Sequence, residues 1–218
     1  ANEAISRAAE LLADLDFHFG RFLEGSYGKS VPAHILPSNL IVEKRIAPAI
    51  NKSPDKPVAI IVLDGMRFDL WREIVRPHLE RRYRVTEELA TAMLPSETRV
   101  SRFGFFCGAQ AGDFYGKPMT GGEPAACEAL LNRLVSGGPV ALGEWDVDVS
   151  QVAFCRASKD KRRFVLVFDF HDSLGHATAW RINELADIIR VMMKNVDQVL
   201  AQLPGDCDIW VTSDHGQV

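Results

Sequence analysis

Apolar residues follow two different spacings along this chain. From Asn2 to about Gly25 they recur every three or four residues, which predicts an amphipathic helix that docks through one face. At Pro57–Leu63 they form a continuous β-branched run, which is typical of a strand buried on both faces of a parallel sheet. The stretch between, Gly25–Ser53, is rich in glycine and proline, so we expect loops around one short helix near Asn39–Asn51.

The rest of the chain alternates between strand-like and helix-like segments. Further strands are predicted at Tyr83–Leu89, Phe164–Phe170 and Asp208–Thr212, and helices at Phe68–Arg82, Glu97–Phe106, Glu123–Val135 and Ala177–Leu203. The stretches 108–122 and 137–163 are expected to form longer connections or a small cap over one end of the sheet. This alternation predicts an open α/β sheet. We therefore expect residues 1–55 to form a helical N-terminal extension and residues 56–218 to form an α/β domain.

The composition allows one substantial core and restricts the ligands. Of 218 residues, 47% are hydrophobic and 25% are charged, with a formal net charge of -4. That charge argues against a broad basic face that wraps nucleic acid, so any phosphate site must be local. The sequence has no run of about 18 apolar residues, no secretory pattern at its N-terminus and no Cys-x-x-Cys pair. We expect a cytoplasmic protein with reduced thiols that does not bind a membrane.

Three of the predicted strands end in acidic residues and histidines. Asp64 follows the strand that ends at Leu63, Asp172 and His176 follow the strand that ends at Phe170, and Asp214 and His215 follow the strand that ends at Thr212. In an open α/β sheet the carboxyl ends of the strands gather ligands, because the loops and the N-termini of helices converge there. Carboxylates and imidazoles are natural ligands of zinc and manganese, so these side chains predict a site for two divalent ions. For Asp64 alone, a turn or a helix cap is the alternative interpretation.

A candidate nucleophile lies in the segment Pro95-Ser96-Glu97-Thr98, just before a predicted helix. Thr98 is expected in the first turn, where the helix dipole and the free amides favour an anion. A hydroxyl bound to a divalent cation can ionise near neutral pH, which would suit a phosphorylated intermediate. The alternative is that Ser96 caps the helix and Thr98 only satisfies backbone groups.

Three arginines are candidates for binding a phosphate group. Arg67, Arg99 and Arg102 lie beside these motifs. Bidentate contacts between a guanidinium and a phosphate would give a locally basic site inside an acidic protein. Ordinary surface solvation is the alternative for each of them.

These segments, in this order, resemble the alkaline phosphatase superfamily, and specifically its PglZ domains, which are known from bacterial phage-defence (BREX) systems and from some response-regulator proteins. The resemblance spans about Pro57 to the end and consists of Asp64-Gly65-Met66-Arg67, Pro95-Ser96-Glu97-Thr98 leading to Cys107-Gly108, Asp172 with His176, and Ser213-Asp214-His215-Gly216. It implies a three-layer αβα sandwich with a mostly parallel sheet. It also implies that Asp64, Thr98, Asp214 and His215 hold one ion, that Asp172 and His176 hold the other, and that Thr98 attacks phosphorus.

The implied function is that of a metal-dependent phosphatase or phosphodiesterase that uses two ions, zinc or alternatively manganese. Its substrate would be a phosphate ester, with nucleotides or nucleic acid as candidates. The superfamily usually supplies a further histidine to the second ion from beyond the Asp-His motif. Since the chain ends at Val218, we expect a missing C-terminal part and an incomplete second site.

Two other functions stay open at this point. One is a catalytically incomplete module that binds protein partners in a defence or signalling complex. The other is an isomerase similar to phosphoglycerate mutase, or a sulfatase, on the same fold. The Cys/Ser-x-Pro-x-Arg signature of sulfatases is absent around Thr98.

Overall fold

The computed structural model describes residues 2–25, 35–94, 96–114, 122–136, 138–145, 155, 158, 161–168 and 182–216. The chain divides into two compact units, Ala1–Ile35 and Leu36–Val218. The first unit contains helix α1, Asn2–Gly25, which confirms the predicted N-terminal helix. The predicted domain boundary after residue 55 stays a prediction. Among the residues described, no helix combines the length and the apolar character needed to cross a membrane.

Parallel strands form the sheet at the centre of the second unit. The described strands of this sheet are β2 (Val58–Leu63), β4 (Ala141–Trp145), β5 (Arg163–Phe168) and β6 (Asp208–Thr212). Their order across the sheet is β4-β5-β2-β6, and every neighbouring pair is parallel. The carboxyl ends of β2, β5 and β6 therefore meet at one edge. Two short strands, β1 (Leu36–Pro37) and β3 (Ala90–Thr91), form a separate parallel pair.

Helices cover both faces of this sheet. The described helices of this unit are α2 (Ala47–Lys52), α3 (Phe68–Leu70), α4 (Arg76–Leu79), α5 (Thr98–Cys107), α6 (Ala111–Phe114), α7 (Gly122–Leu134) and α8 (Ile182–Leu200). On one face, Ala59, Ile61 and Leu63 of β2 share a core with α3, α4 and α8. On the other face, Ile60 and Val62 share a core with α2, α5 and α7. Burial on both faces explains the continuous apolar run of β2, and the predicted α/β sandwich is confirmed.

Among the described residues of this unit, two helical segments contain a π-helical turn just before a proline. The turn Val42–Ile46 leads into α2, where Pro48 follows, and the turn Trp71–Val75 joins α3 to α4, where Pro77 follows. In an α-helix, the proline ring clashes with the carbonyl four residues earlier. In both segments that carbonyl belongs to the π turn, whose wider winding relieves the clash. The helical path predicted from Phe68 therefore continues through the proline and ends at Leu79.

The predicted strand Tyr83–Leu89 is wrong, because only Ala90–Thr91 pairs with another strand. Side chains rather than a backbone ladder hold this segment. Glu87 accepts hydrogen bonds from Nε1 of Trp71 at 2.7 Å and from Nη2 of Arg72 at 2.9 Å. The apolar and β-branched residues of this segment are typical of a strand. Its conformation depends instead on side-chain contacts with a neighbouring helical segment.

Strand β4 lies within the stretch 137–163, where the sequence predicts a longer connection or a small cap and no strand. Its sequence, Ala-Leu-Gly-Glu-Trp, contains a glycine and a glutamate and lacks the continuous apolar character of β2. Pairing with β5 along one side creates this strand, and its register shifts between Leu142 and Trp145.

The buried face of α8 gives a direct test of the core. Met192 is 0% exposed and its neighbour Val191 is 50% exposed. Met192→Ala is expected to lower the free energy of unfolding by about 2–5 kcal/mol, because it removes buried atoms and leaves a cavity. The matched control Val191→Ala should change it by no more than about 0.5 kcal/mol. Urea denaturation followed by far-UV circular dichroism measures both, and equal losses would contradict the packing of α8 against the sheet.

Candidate metal centre

Asp64 begins the turn that follows β2. Its backbone N–H donates to the carbonyl of Phe168 at 2.9 Å, which continues the pairing of β2 and β5 by one residue. The next residue, Gly65, has a φ of +64°, a left-handed conformation that favours glycine. The chain therefore turns sharply, and the buried Asp64 side chain is held at the carboxyl edge of the sheet.

The loop after β6 brings Asp214 next to this turn. The N–H of Gly65 donates to Oδ1 of Asp214 at 3.1 Å. The N–H of Met66 donates to the hydroxyl oxygen of Ser213 at 3.0 Å. These two bonds join the loops, so the carboxylates of Asp64 and Asp214 are held together, both buried.

His215 completes a cluster of three buried side chains that we call the carboxylate–histidine cluster: Asp64, Asp214 and His215. Its Nε2 lies 3.5 Å from Oδ1 of Asp64 and 3.5 Å from Oδ2 of Asp214. Its Nδ1 lies 3.2 Å from the carbonyl oxygen of Gly216. A carbonyl can only accept, so this hydrogen bond requires a proton on Nδ1, and in the neutral ring the lone pair of Nε2 then faces the cluster. A histidine that binds a metal through Nε2 needs this tautomer.

Thr98 is the first residue of α5, and its hydroxyl reaches the cluster. Its Oγ1 lies 2.9 Å from Nε2 of His215 and donates to it in the tautomer just described. The capping residue of α5 is Glu97, with extended backbone and no side-chain capping bond. The alternative in which Ser96 caps this helix is therefore wrong. Helix α5 begins at Thr98, whose hydroxyl faces the cluster.

The two buried carboxylates create a demand for positive charge. Burial raises the pKa of Asp214 to about 6, although backbone hydrogen bonds from Gly65 and His215 oppose this rise. In the part of the chain that the structure describes, Oδ2 of Asp214 has no hydrogen-bond partner. A buried charged oxygen without a donor is costly, so a cation beside it would be strongly favoured.

Arg102 places one positive charge beside the cluster. Its Nη1 donates to Oδ2 of Asp64 at 2.5 Å, and its Nε donates to Oε2 of Glu123 at 2.8 Å. The side chains of Arg102 and Glu123 are only 17% and 14% exposed. Arg102 was a candidate from the sequence, whereas Glu123 was not. Acidic residues are common in the first turn of a helix, so nothing in the sequence around Glu123 indicated a role in the site.

The carboxylate–histidine cluster fits a divalent metal ion. Its three ligand atoms all lie within 4.8 Å of one another. A tetrahedral ion with bonds of about 2.1 Å separates neighbouring ligand atoms by about 3.4 Å. The two separations of 3.5 Å around Nε2 of His215 match that spacing. Two carboxylates and an imidazole, with the Thr98 hydroxyl beside them, are also a donor set that suits zinc or manganese.

The other predicted site residues have different surroundings. Arg67 binds the carboxylate of Asp69 through Nε at 3.0 Å and Nη2 at 2.7 Å. Arg99 is exposed on α5. Asp172 and His176 lie outside the described residues, so the second ion that they were predicted to hold stays a prediction.

A cavity of about 720 Å³ adjoins the carboxylate–histidine cluster. Asp214 and His215 line one part of it, strand β6 lines a second, and residues 83–92 line a third. Trp71 also lines this cavity. The side chains of the cluster are therefore buried, but they lie next to a cavity that is large enough for a small molecule.

The chain matches a known protein family over most of its length. A family model described as the BREX system PglZ alkaline phosphatase-like domain matches residues 41–218. No curated protein matches the chain. The matched range contains the four-stranded sheet, the carboxylate–histidine cluster and the pair of Arg102 and Glu123.

The ligand role of Asp214 can be tested by its metal content. Asp214→Asn is expected to lower the affinity for zinc or manganese at least about tenfold, because a charged ligand becomes a neutral amide. Plasma emission spectroscopy after dialysis measures the bound metal. The matched control is Asp208→Asn at the other end of β6, where an exposed carboxylate pairs with Lys56. This control should keep the metal content of the wild-type protein, and an unchanged content in Asp214→Asn would remove Asp214 from the ligands.

Proposed function

Because the chain belongs to the PglZ family of alkaline-phosphatase-like domains, we propose that it hydrolyses phosphate esters at the carboxylate–histidine cluster, with Thr98 as the nucleophile. The position of Thr98 supports this role more than any other observation. Its Oγ1 lies 2.9 Å from Nε2 of His215, and it is the first residue of a ten-residue helix. The attacking oxygen thus lies at the one end of a helix that favours an anion.

The surroundings of Thr98 suit a bound phosphoryl group. The N–H groups in the first turn of α5 and the helix dipole attract negative charge. Arg102 lies four residues further along α5, on the same face and one turn away. A phosphoryl group at Thr98 would therefore lie between the helix amides and a guanidinium, which binds phosphate oxygens in a planar, bidentate geometry.

The proposed reaction has two steps. A divalent ion held by Asp64, Asp214 and His215 would favour ionisation of the Thr98 hydroxyl and neutralise charge on the phosphoryl oxygens. In the first step the Thr98 hydroxyl loses its proton to solvent, Oγ1 bonds to phosphorus while the ester P–O bond breaks, and the leaving alcohol takes a proton from solvent. In the second step water hydrolyses the phosphorylated threonine and restores its hydroxyl, which releases inorganic phosphate from a monoester or a phosphate monoester from a diester. His215 keeps its proton on Nδ1, which donates a hydrogen bond to the carbonyl oxygen of Gly216.

The finer features of the function are also proposals. We propose a second ion at Asp172 and His176, zinc or manganese as the metal, and a cytoplasmic protein that works with partners of a BREX-type defence complex or a signalling complex. The cavity of about 720 Å³ lies within the range of about 300–1,000 Å³ of small-molecule sites. Since Asp214 and His215 line it beside the proposed nucleophile, we propose that it takes the alcohol part of a nucleotide or of the end of a nucleic acid.

The nucleophile can be tested by turnover. Thr98→Ala is expected to reduce hydrolysis of p-nitrophenyl phosphate and of bis(p-nitrophenyl) phosphate at least about a thousandfold, because the attacking oxygen is removed. The rate of p-nitrophenol release in the presence of zinc or manganese measures this hydrolysis. The free energy of unfolding should change by no more than about 2 kcal/mol, the upper range for a threonine at a helix start.

Ser96→Ala is the matched control, since it removes a hydroxyl two residues away that has no place in the proposed reaction. It should keep the turnover of the wild-type protein. Full activity in Thr98→Ala would contradict the nucleophile. A wild-type protein that binds metal but hydrolyses neither ester would favour the catalytically incomplete module instead, and the two esters separate a monoesterase from a diesterase.

A further inference from the structure

Glu123 is largely buried beside the proposed site, although the reaction above gives it no part. Its Oε2 accepts the Nε–H of Arg102 at 2.8 Å, and it lies in the first turn of α7. That helix begins at Gly122, whose φ of +68° places the turn in the left-handed region. Since a buried carboxylate is costly unless it is paired, its contact with Arg102 calls for an explanation.

We propose that Glu123 is a positioning residue that holds the guanidinium of Arg102 so that its Nη1–Nη2 edge binds two oxygens of the phosphoryl group at Thr98. This role rests on the proposed function, because it assigns the phosphate-binding group of the same site. Glu123 itself touches neither the substrate nor the reacting atoms.

The two contacts of Arg102 use different parts of its guanidinium. Glu123 binds the Nε–H at the side of the group, while Asp64 binds Nη1 at its end. The guanidinium is planar and its five N–H bonds point in fixed directions, so a partner on Nε also fixes the direction of the end. Glu123 therefore aims the Nη1–Nη2 edge at the carboxylate–histidine cluster.

Asp64 is a partner that Arg102 shares with the proposed metal site. When Asp64 coordinates a divalent ion, less of its negative charge is available to Nη1 of Arg102. A phosphoryl group bound at Thr98 would supply new anionic acceptors, because Thr98 and Arg102 lie on one face of α5, one turn apart. Glu123 is the partner that Arg102 keeps in both states, so the guanidinium stays in place while its end changes acceptor.

A double-mutant cycle on phosphate binding tests this role. The variants are Glu123→Gln, Arg102→Met and the two combined, and the probe is inorganic phosphate titrated calorimetrically into the manganese-loaded protein. Glu123→Gln is expected to weaken phosphate binding about tenfold, because the charge-assisted bond that orients Arg102 is lost. In the Arg102→Met background the same change should have no further effect, because no guanidinium is left to position.

Glu128→Gln is the matched control, since Glu128 lies on the same helix α7 but is exposed. It should leave phosphate binding unchanged. Glu123→Asp serves as a second variant if the glutamine variant does not fold. Aspartate keeps the carboxylate on a side chain that is shorter by one methylene group. The phosphate affinity of this variant is expected to lie between those of the wild-type protein and Glu123→Gln.

Three results would overturn the positioning role. They are unchanged phosphate affinity in Glu123→Gln or Glu123→Asp, an equal loss with and without Arg102, and no binding of manganese or phosphate by the wild-type protein. The titration measures phosphate binding and not ester hydrolysis, so its outcome is independent of the turnover test of Thr98. A protein that binds phosphate with the expected coupling but hydrolyses neither ester would support the positioning role and contradict the proposed function.

Discussion

The pair of hydrogen bonds between the loop after β2 and the loop after β6 is the constraint on which the site depends. Gly65 donates to the carboxylate of Asp214, and Met66 donates to the hydroxyl of Ser213, across 149 and 147 residues of sequence. The parallel pairing of β2 with β6 brings the two loops to the same edge. Each loop thus satisfies polar groups of the other, and two buried carboxylates are held side by side although they repel each other.

This arrangement determines what the surrounding helices must provide. Helix α5 brings a hydroxyl, Thr98, and a guanidinium, Arg102, to the cluster from positions one turn apart. Helix α7 brings Glu123 to the same guanidinium, so the packing of α5 on α7 also fixes a charged pair. The cores on the two faces of the sheet keep these helix ends in place, since close-packed side chains leave little freedom to shift. Fold stability and site geometry therefore rest on the same contacts.

Much of the fold and of the candidate site follows from local sequence patterns, and the errors have local causes as well. The continuous apolar run of β2 and the acid directly after it predicted Asp64 at the edge of the sheet, and the structure places it there. The segment 83–89 has the composition of a strand but lacks a backbone partner, and its conformation depends on bonds from Glu87 to a neighbouring helical segment. Glu123 resembled any acidic residue at a helix start, because only its distant partner Arg102 gives it significance.

By itself, the sequence determined the alternation of strands and helices, the α/β class, and which strands end in Asp64, Asp214 and His215. These features depend on periodicity and on neighbours within a few residues. Only the tertiary structure decided the strand order β4-β5-β2-β6, the tautomer that turns Nε2 of His215 toward the carboxylates, and the direction of Arg102. Those features depend on contacts between segments that are far apart in the chain. Spacing along the chain cannot specify such contacts, because they form only when the sheet brings its carboxyl ends together.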